Sequence, residues 1–243
     1  MKLNHLAIIM DGNRRWARVR TLQAVAGHDK GAQTLEDIAR ELVSYDVGHL
    51  TVFAFSTENW RRSKLEVNAL LEIMRKFLKS KMDTLVADNV QLRILGDRSA
   101  FAPDLQALFA DAEDKTAECT GLTLNVALNY GGQQDIERAA EKMAADARAV
   151  SGQTRPFSAY LETADLPAVD MLIRTGGEHR LSNFMLWDLS YAELYFTDVF
   201  WPDFDSDELK KAISTFYQRQ RRFGGNADRR QSAELDATEE KLA

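Results

Sequence analysis

Cysteine occurs once in the 243 residues, at Cys119, so no disulfide can form within the chain and a reducing compartment is expected. Only 4 prolines and 13 glycines interrupt a chain that is 45% hydrophobic, which excludes fibrous and disordered classes. Cations are outnumbered, 31 Lys+Arg to 37 Asp+Glu, and the net charge of -6 argues against a general nucleic-acid binder. The longest uncharged run, Cys119 to Gln134, is polar in part and falls short of the roughly 20 apolar residues of a bilayer span. The apolar stretch within the first residues is too short for a signal peptide. A soluble, cytoplasmic, globular protein is therefore expected. A chain of this length buries roughly 70–75% of its unfolded surface, enough for a core without staples.

What is present is an alternation of two periodicities. Short apolar runs at Leu6–Met10, Leu50–Phe55, Val90–Leu95, Leu122–Leu128, Met171–Ile173 and Leu194–Phe196 are too apolar to alternate, as suits strands covered on both faces. Between them apolar residues fall at helical spacing, as in Leu35, Ile38, Ala39 and Leu42, or Leu70, Leu71, Met74, Phe77 and Leu78. The pattern predicts a single α/β domain with a mostly parallel sheet of about six strands flanked by helices. Residues 1–225 form the expected domain and 226–243 a polar tail. The polar stretch Asp146–Pro167 reads as a connection.

In an open parallel sheet ligands bind at the carboxyl ends of strands, where helix N-termini also favour anions. Just past the runs stand Asp11-Gly12-Asn13-Arg14-Arg15-Trp16, Ser56-Thr57-Glu58-Asn59-Trp60, Gly96-Asp97, Asn129-Tyr130-Gly131-Gly132 and Arg174 through Arg180. Glycine, amides, carboxylates and arginines gathered at one edge point to a phosphate-bearing ligand. Asp11 is a hard oxygen ligand suited to Mg²⁺; the alternative is that Asp11 or Asn13 only caps a helix. Neither the Walker A nor the dinucleotide glycine spacing is present. Trp60 beside Asn59, Arg61 and Arg62 suits an apolar chain next to a diphosphate, while Ser63 and Glu66 have capping-box spacing. Arg174 and Arg180, around Gly176-Gly177, can clamp a phosphate from two sides. His179 between them is a donor or metal ligand, and Glu193 a candidate second carboxylate; His5 and His49 read as structural. Arg222-Phe223-Gly224 can equally be a helix end with a glycine cap. The stripe from Val67 to Val86 is core, or the wall of a tunnel for a long apolar chain.

The blocks Asp11–Ala17, Gly27-His28, Phe53–Trp60, Asn129–Gly132, Ile173–Arg180 with Ser182-Asn183-Phe184, and Trp187–Asp203 resemble the cis-prenyltransferase family, in its order, over residues 5–225. The resemblance implies a homodimer with an apolar tunnel in each subunit. It implies Mg²⁺-dependent cis additions of isopentenyl diphosphate to an allylic diphosphate, usually farnesyl diphosphate, with peripheral membrane contact for product release. Position by position, Asp11 resembles the metal-linked carboxylate, and Gly12, Asn13, Arg14, Arg15 and His28 the allylic diphosphate cradle, with Trp16 near the allylic chain. Ser56 and Asn59 resemble the polar pair at the reacting carbons, and Thr57, Glu58, Trp60 and Arg62 the rest of that wall. Arg174, Arg180, Leu181 and Ser182 resemble the isopentenyl diphosphate site, and His179 and Glu193 its metal-linked partners. Arg222 and Gly224 resemble a C-terminal motif that reaches the partner subunit.

The chain departs from the bacterial pattern of this family at three positions. Arg14 stands where Gly is common, Ala24 where an Arg precedes the motif His28 by four residues, and Leu128 where a smaller residue is frequent. Weaker allylic binding and a shorter product are the respective expectations for Ala24 and Leu128. Two other classes compete with the enzyme reading. A non-catalytic partner subunit would lack Asp11, Asn59, Arg174 and Arg180, which are present; a Mg²⁺-dependent phosphohydrolase would want a second carboxylate near Asp11 in sequence.

Overall fold

A computed structural model describes residues 2–149 and 155–219. Its strands β1 (His5–Ile9), β2 (His49–Ser56), β3 (Gln91–Leu95), β4 (Thr123–Tyr130), β5 (Met171–Arg174) and β6 (Glu193–Phe196) form one six-stranded sheet in the order β3-β4-β2-β1-β5-β6. Every neighbouring pair is parallel, so the expected mostly parallel sheet is wholly so. Central β1, His-Leu-Ala-Ile-Ile, is buried at every position because both sheet faces are covered. Its side chains alternate between layers. Leu6 and Ile8 join the large core with Leu50, Val52 and Leu124, whereas Ala7 and Ile9 pack with Leu172, Tyr130 and Phe184 on the other face.

The helices are α1 (Asn13–Val19), α2 (Ala24–Ser44), α3 (Lys64–Ala87), α4 (Pro103–Thr116), α5 (Gly132–Ala149) and α6 (Ser206–Gln218). Ser63 Oγ accepts from the Glu66 N–H at 3.3 Å to start α3, as the capping spacing predicts, but the Glu66 carboxylate turns to Arg62 at 3.0 Å instead of closing the box. Asp146 lies within α5, and the Phe157–Tyr160 turn folds back onto that helix, with Tyr160 Oη donating to Asp146 at 2.9 Å. The expected connection is thus partly helical.

Pairing of β2 with β4 slips twice near its end, between Phe53 and Phe55 and again between Phe55 and Ser56. Asn129, left beside the second slip, takes a left-handed backbone with φ 47°. Bulges of this kind re-aim the side chains that follow them, and here those are Ser56 and the 3-10 turn Thr57–Arg61. His5 is structural, as expected: its buried ring contacts Thr51 Oγ1 and the Pro167 carbonyl, each at 2.7 Å, and the His49 ring stands beside it with centres 5.7 Å apart. Among the described residues no helix is long and apolar enough to cross a membrane. The tail 226–243 and the motif residues Arg222 and Gly224 lie outside the described residues.

Candidate active site

Register brings the site together. Ile9 of β1 pairs with Phe53 of β2 on one side and with Arg174 of β5 on the other, so Asp11 leaves the sheet between them. Gly12 caps α1 with φ 107°, a left-handed conformation natural to glycine, and no side chain caps the helix. Neither Asp11 nor Asn13 is the cap, although Asp11 Oδ1 does accept from the Gly12 N–H at 2.6 Å, so the capping alternative survives only in that one contact. Instead Asn13 Nδ2 donates to the Met10 carbonyl at 3.1 Å, and Asp11 turns to the arginines. Arg174 Nη2 donates to Asp11 Oδ2 at 2.9 Å, and Arg15 Nη2 lies 3.2 Å from Asp11 Oδ1. Buried Thr175 clasps the Asp11 backbone, donating to its carbonyl at 2.7 Å and accepting from its N–H at 3.0 Å. The second Arg174 amine donates to Ser182 Oγ at 2.7 Å and to the Arg180 carbonyl, so the strand end and the loop beyond it are one unit.

A cavity of about 1390 Å³ opens at these strand ends. Asp11, Gly12, Asn13, Arg14, Arg15, His28, Ser56, Glu58, Asn59, Arg62, Arg174, Arg180 and Ser182 line its polar part, and Leu70, Ile73, Met74, Phe77 and Leu78 of α3, with Phe55 and Leu128, its apolar part. The stripe on α3 thus divides: those side chains face the cavity, while Met82 and Leu85 further along are core. His28 follows Gly27, whose missing Cβ lets α2 approach the Asn13 carbonyl; a Cβ there would stand 2.1 Å from it. Burial, reinforced by Arg62 and Arg14 against the pull of Glu66, lowers the His28 pKa to about 4. It is a neutral hydrogen-bonding group near pH 7, and its buried Nε2 has no partner within the protein.

Asn59 Oδ1 accepts from the Ser56 N–H at 3.1 Å, which locks the amide and leaves its NH₂ as the free polar end. Burial pushes the Glu58 carboxyl up, but hydrogen bonds from its own backbone and from Ser56, Asn183 and Thr57 outweigh it and hold the pKa below the usual range.

Other expected residues stand back from the cavity. Trp16 donates from Nε1 to Asp203 at 2.6 Å, with the Arg20 guanidinium 4.5 Å over its ring. Trp60 donates to Asn129 Oδ1 at 2.8 Å and packs on Phe55 and Phe101. Thr57 and Leu181 do not line the cavity either, and Leu181 packs against the smaller core. The metal-linked set needs correction within one chain. Exposed His179 tilts onto Phe196, and Glu193 begins β6 at the amino end of the sheet, opposite Asp11, where Arg219 holds it at 3.0 Å. A strand's length separates them because parallel register aligns Glu193 with Met171, not with Arg174. The carboxylate that does approach is Glu178, which Arg15 bridges to Asp11 at 3.8 Å. Its place inside the arginine motif was the available signal. Thr175 also lay there, and Phe200, packed on Gly12 and under Arg15 at 5.5 Å, lay within the Trp187–Asp203 block without being singled out.

Polar groups at one end of a deep apolar cavity match a family known by sequence. The profile described as "Putative undecaprenyl diphosphate synthase" matches residues 9–224. The chain belongs to the cis-prenyltransferase family. It is 47% identical over 231 residues to the (2E,6E)-farnesyl-diphosphate-specific ditrans,polycis-undecaprenyl-diphosphate synthase of Pseudomonas syringae pv. tomato, covering 92% of this chain and 91% of that one. It is 46% identical to the isoprenyl transferase of Wolinella succinogenes, covering 92% and 97%. Among solved structures, lavandulyl diphosphate synthase from Lavandula x intermedia, in complex with dimethylallyl diphosphate, superposes with a TM-score of 0.86 at 37% identity, over 91% of this chain and 98% of that one. The chain is a cis-prenyltransferase.

Proposed function

We propose that the enzyme condenses isopentenyl diphosphate repeatedly, in cis, onto an allylic diphosphate such as farnesyl diphosphate, giving a polyprenyl diphosphate of the undecaprenyl type that serves as precursor of a cell-wall carrier lipid. The observation that carries this reading is one cavity with two chemistries: arginines, Asp11 and neutral His28 at its mouth, and a depth lined by Leu70, Met74, Phe77 and Leu128. The apolar tunnel is the use we assign to that depth.

In each cycle the allylic C1–O bond breaks and the isopentenyl double bond supplies the electron pair for the new C1–C4 bond. A proton then leaves C2 of the former isopentenyl unit, and diphosphate departs. Negative charge develops on the departing diphosphate, where Arg14 and Arg15 line the cavity. Arg174, Arg180 and Ser182 hold the isopentenyl diphosphate, and Ser56 with Asn59 flank the reacting carbons. An amide is no base, and the Asn59 oxygen is already taken by Ser56. Its NH₂ orients the diphosphate or water oxygen that accepts the proton.

Mg²⁺ fits the donor set: the partly exposed Asp11 carboxylate lines the cavity, and a hard cation of this kind would need no more than one or two protein carboxylates there. Asp11 would hold it, and its chemistry there is to neutralise charge on the leaving diphosphate. Among the described residues no three His, Cys, Asp or Glu side chains cluster as a closed metal site.

A homodimer is supported by edge strand β6, where Leu194 is exposed with Tyr191 and Tyr217 nearby in sequence or on α6. Glu193 lies on that edge, so a metal role for it belongs to the shared interface. Exposed Val19 and Leu22, beside Arg18 at the cavity mouth, suit peripheral contact with the lipid that receives so apolar a product. A second reading, a shorter-chain synthase, is favoured by Leu128, which stands buried opposite Phe55 across β4 and β2 and lines the cavity.

Purified protein incubated with labelled isopentenyl diphosphate, Mg²⁺ and dimethylallyl, geranyl or farnesyl diphosphate decides among these by product length. A long product from farnesyl diphosphate is expected; short products establish the second reading. No product from any primer defeats both and favours a non-catalytic partner subunit. Metal-dependent phosphate release without isopentenyl diphosphate would instead mark a phosphohydrolase.

A further inference from the structure

The turn after Arg180 is strained. Ser182, Asn183 and Met185 all take left-handed backbones, with φ 50°, 65° and 42°, and none is glycine. Such clusters persist only where the surroundings over-determine them, and they concentrate at functional sites. Here the pinning is visible: Phe184 is fully buried and stacks on Phe53 with ring centres 4.5 Å apart, and Met185 is buried beside it.

Asn183 uses its place in this turn to join three segments. Its Oδ1 accepts from the Gln133 N–H at 2.8 Å and its carbonyl from the Gly132 N–H at 2.6 Å, at the start of α5. Its Nδ2 donates to Gln134 Oε1 at 3.1 Å and to Glu58 Oε1 at 3.2 Å, the latter on the turn that carries Asn59. The residue before it, Ser182, accepts from Arg174, which in turn holds Asp11. Gly131 stands so close that a Cβ there would lie 2.7 Å from Asn183 Nδ2. Asn183 also lines the cavity, together with Ser182, Glu58 and Asn59.

We propose that Asn183 is a positioning residue that sets the gap between the Arg174–Ser182 loop and the Ser56–Asn59 wall, and with it the approach of the isopentenyl double bond to the allylic carbon. The proposal rests on the prenyl-transfer reading above. Two substrates held on separate segments react fast only when their carbons meet at about 3–3.5 Å, and a misplacement of about 1 Å costs on the order of 100-fold. The Asn183 amide ties those two segments from within the cavity wall. Asparagine suits the task because it tolerates the left-handed backbone and supplies both a donor and an acceptor.

Asn183→Gly removes the amide and keeps the backbone conformation, so the turn can survive the change. The purified variant and parent are compared for kcat, for KM of isopentenyl and of farnesyl diphosphate, and for thermal midpoint. Expected are a kcat lowered about 10- to 100-fold and a raised isopentenyl KM, with the farnesyl KM within about twofold and a largely preserved melting transition. Asn183→Asp, which keeps the acceptor for Gln133 and sets a carboxylate against Glu58, is expected to lower kcat likewise. Parent-like kinetics in the glycine variant, or equal loss for both substrates in step with lost folding, overturns the proposal while leaving the prenyl-transfer reading standing. A parent that forms no prenyl product overturns both.

Discussion

Arg174 Nη2 and Asp11 Oδ2 meet at 2.9 Å across 163 residues of chain, from the ends of neighbouring strands β5 and β1. The Arg174 side chain is only 5% exposed and Asp11 31%, so the pair sits where the protein wall meets the cavity. The buried cation gains a partner, and the carboxylate, whose Oδ1 accepts from the Gly12 N–H at 2.6 Å, still borders the cavity. Asp11→Asn keeps the shape but removes the charge. Its kcat is expected to fall by about 10²–10³-fold, as when an electrostatic stabiliser of a transition state is lost. Single-turnover measurements with farnesyl and isopentenyl diphosphates check this, and near-parent turnover would remove Asp11 from the mechanism.

Asn59 anchors the 3-10 turn through Ser56 and offers its NH₂ to the cavity. Asn59→Ala is expected to lower kcat by about 10²-fold, the ordinary scale of assisted proton transfer. Full turnover in steady-state assays would sink its role in orienting the proton acceptor.

Ala24 lines the cavity one helical turn before His28, on the same side of α2. Arg20 does not replace the missing guanidinium, because it stacks on Trp16 and pairs with Asp203 at 3.0 Å. Arg14 and Arg18 do line the cavity. Ala24→Arg is expected to lower the allylic KM about tenfold, the lower end for a hydrogen bond to a charged group. An unchanged allylic KM would show that Arg14 and Arg18 already supply what is needed.

Leu128 narrows the cavity opposite Phe55. Leu128→Ala is expected to lengthen the product, seen by chain-length analysis, at a stability cost of about 2 kcal/mol, the low end for Leu→Ala because the site already borders a void. An unaltered product distribution would exclude Leu128 as a length determinant.

Burial, against the opposing Pro167 carbonyl, lowers the His5 pKa from 6.5 to about 4. Folding therefore favours the uncharged ring. Its stabilising share is complete above pH 6.5 and is lost as pH falls toward 4, about 3 kcal/mol over that window. Asp135 and Asp188, raised chiefly by burial, work in the opposite sense. Comparing urea midpoints of the parent and His5→Gln between pH 7 and 4.5 isolates the histidine. The variant is expected to show the shallower dependence, and parallel curves would refute the assignment.

The inner strands were legible because both-face burial demands uninterrupted apolar runs, and each of the six runs named from the sequence, that of the less buried edge strand β6 included, became a strand within a residue or two at its ends. The polar residues following β1, β2 and β5 could be assigned to one edge for the same reason: parallel strands end together. Most of the polar lining of the cavity was read from those strand ends and the family motifs.

Glu193 shows where that reading stops. Its motif was visible, but the amino acids alone do not say which end of β6 faces Asp11; the register with β5 decides it. Glu178, Thr175 and Phe200 gained their places from contacts between segments far apart in the chain, and Asn183 from a turn whose strain is sustained by the stacking of Phe184 on Phe53. Local composition and periodicity determined the elements and the chemistry offered at their ends. Only the folded chain decided which of those groups meet, because hydrogen bonds and ion pairs act over a few ångströms, and sequence separation carries no distance.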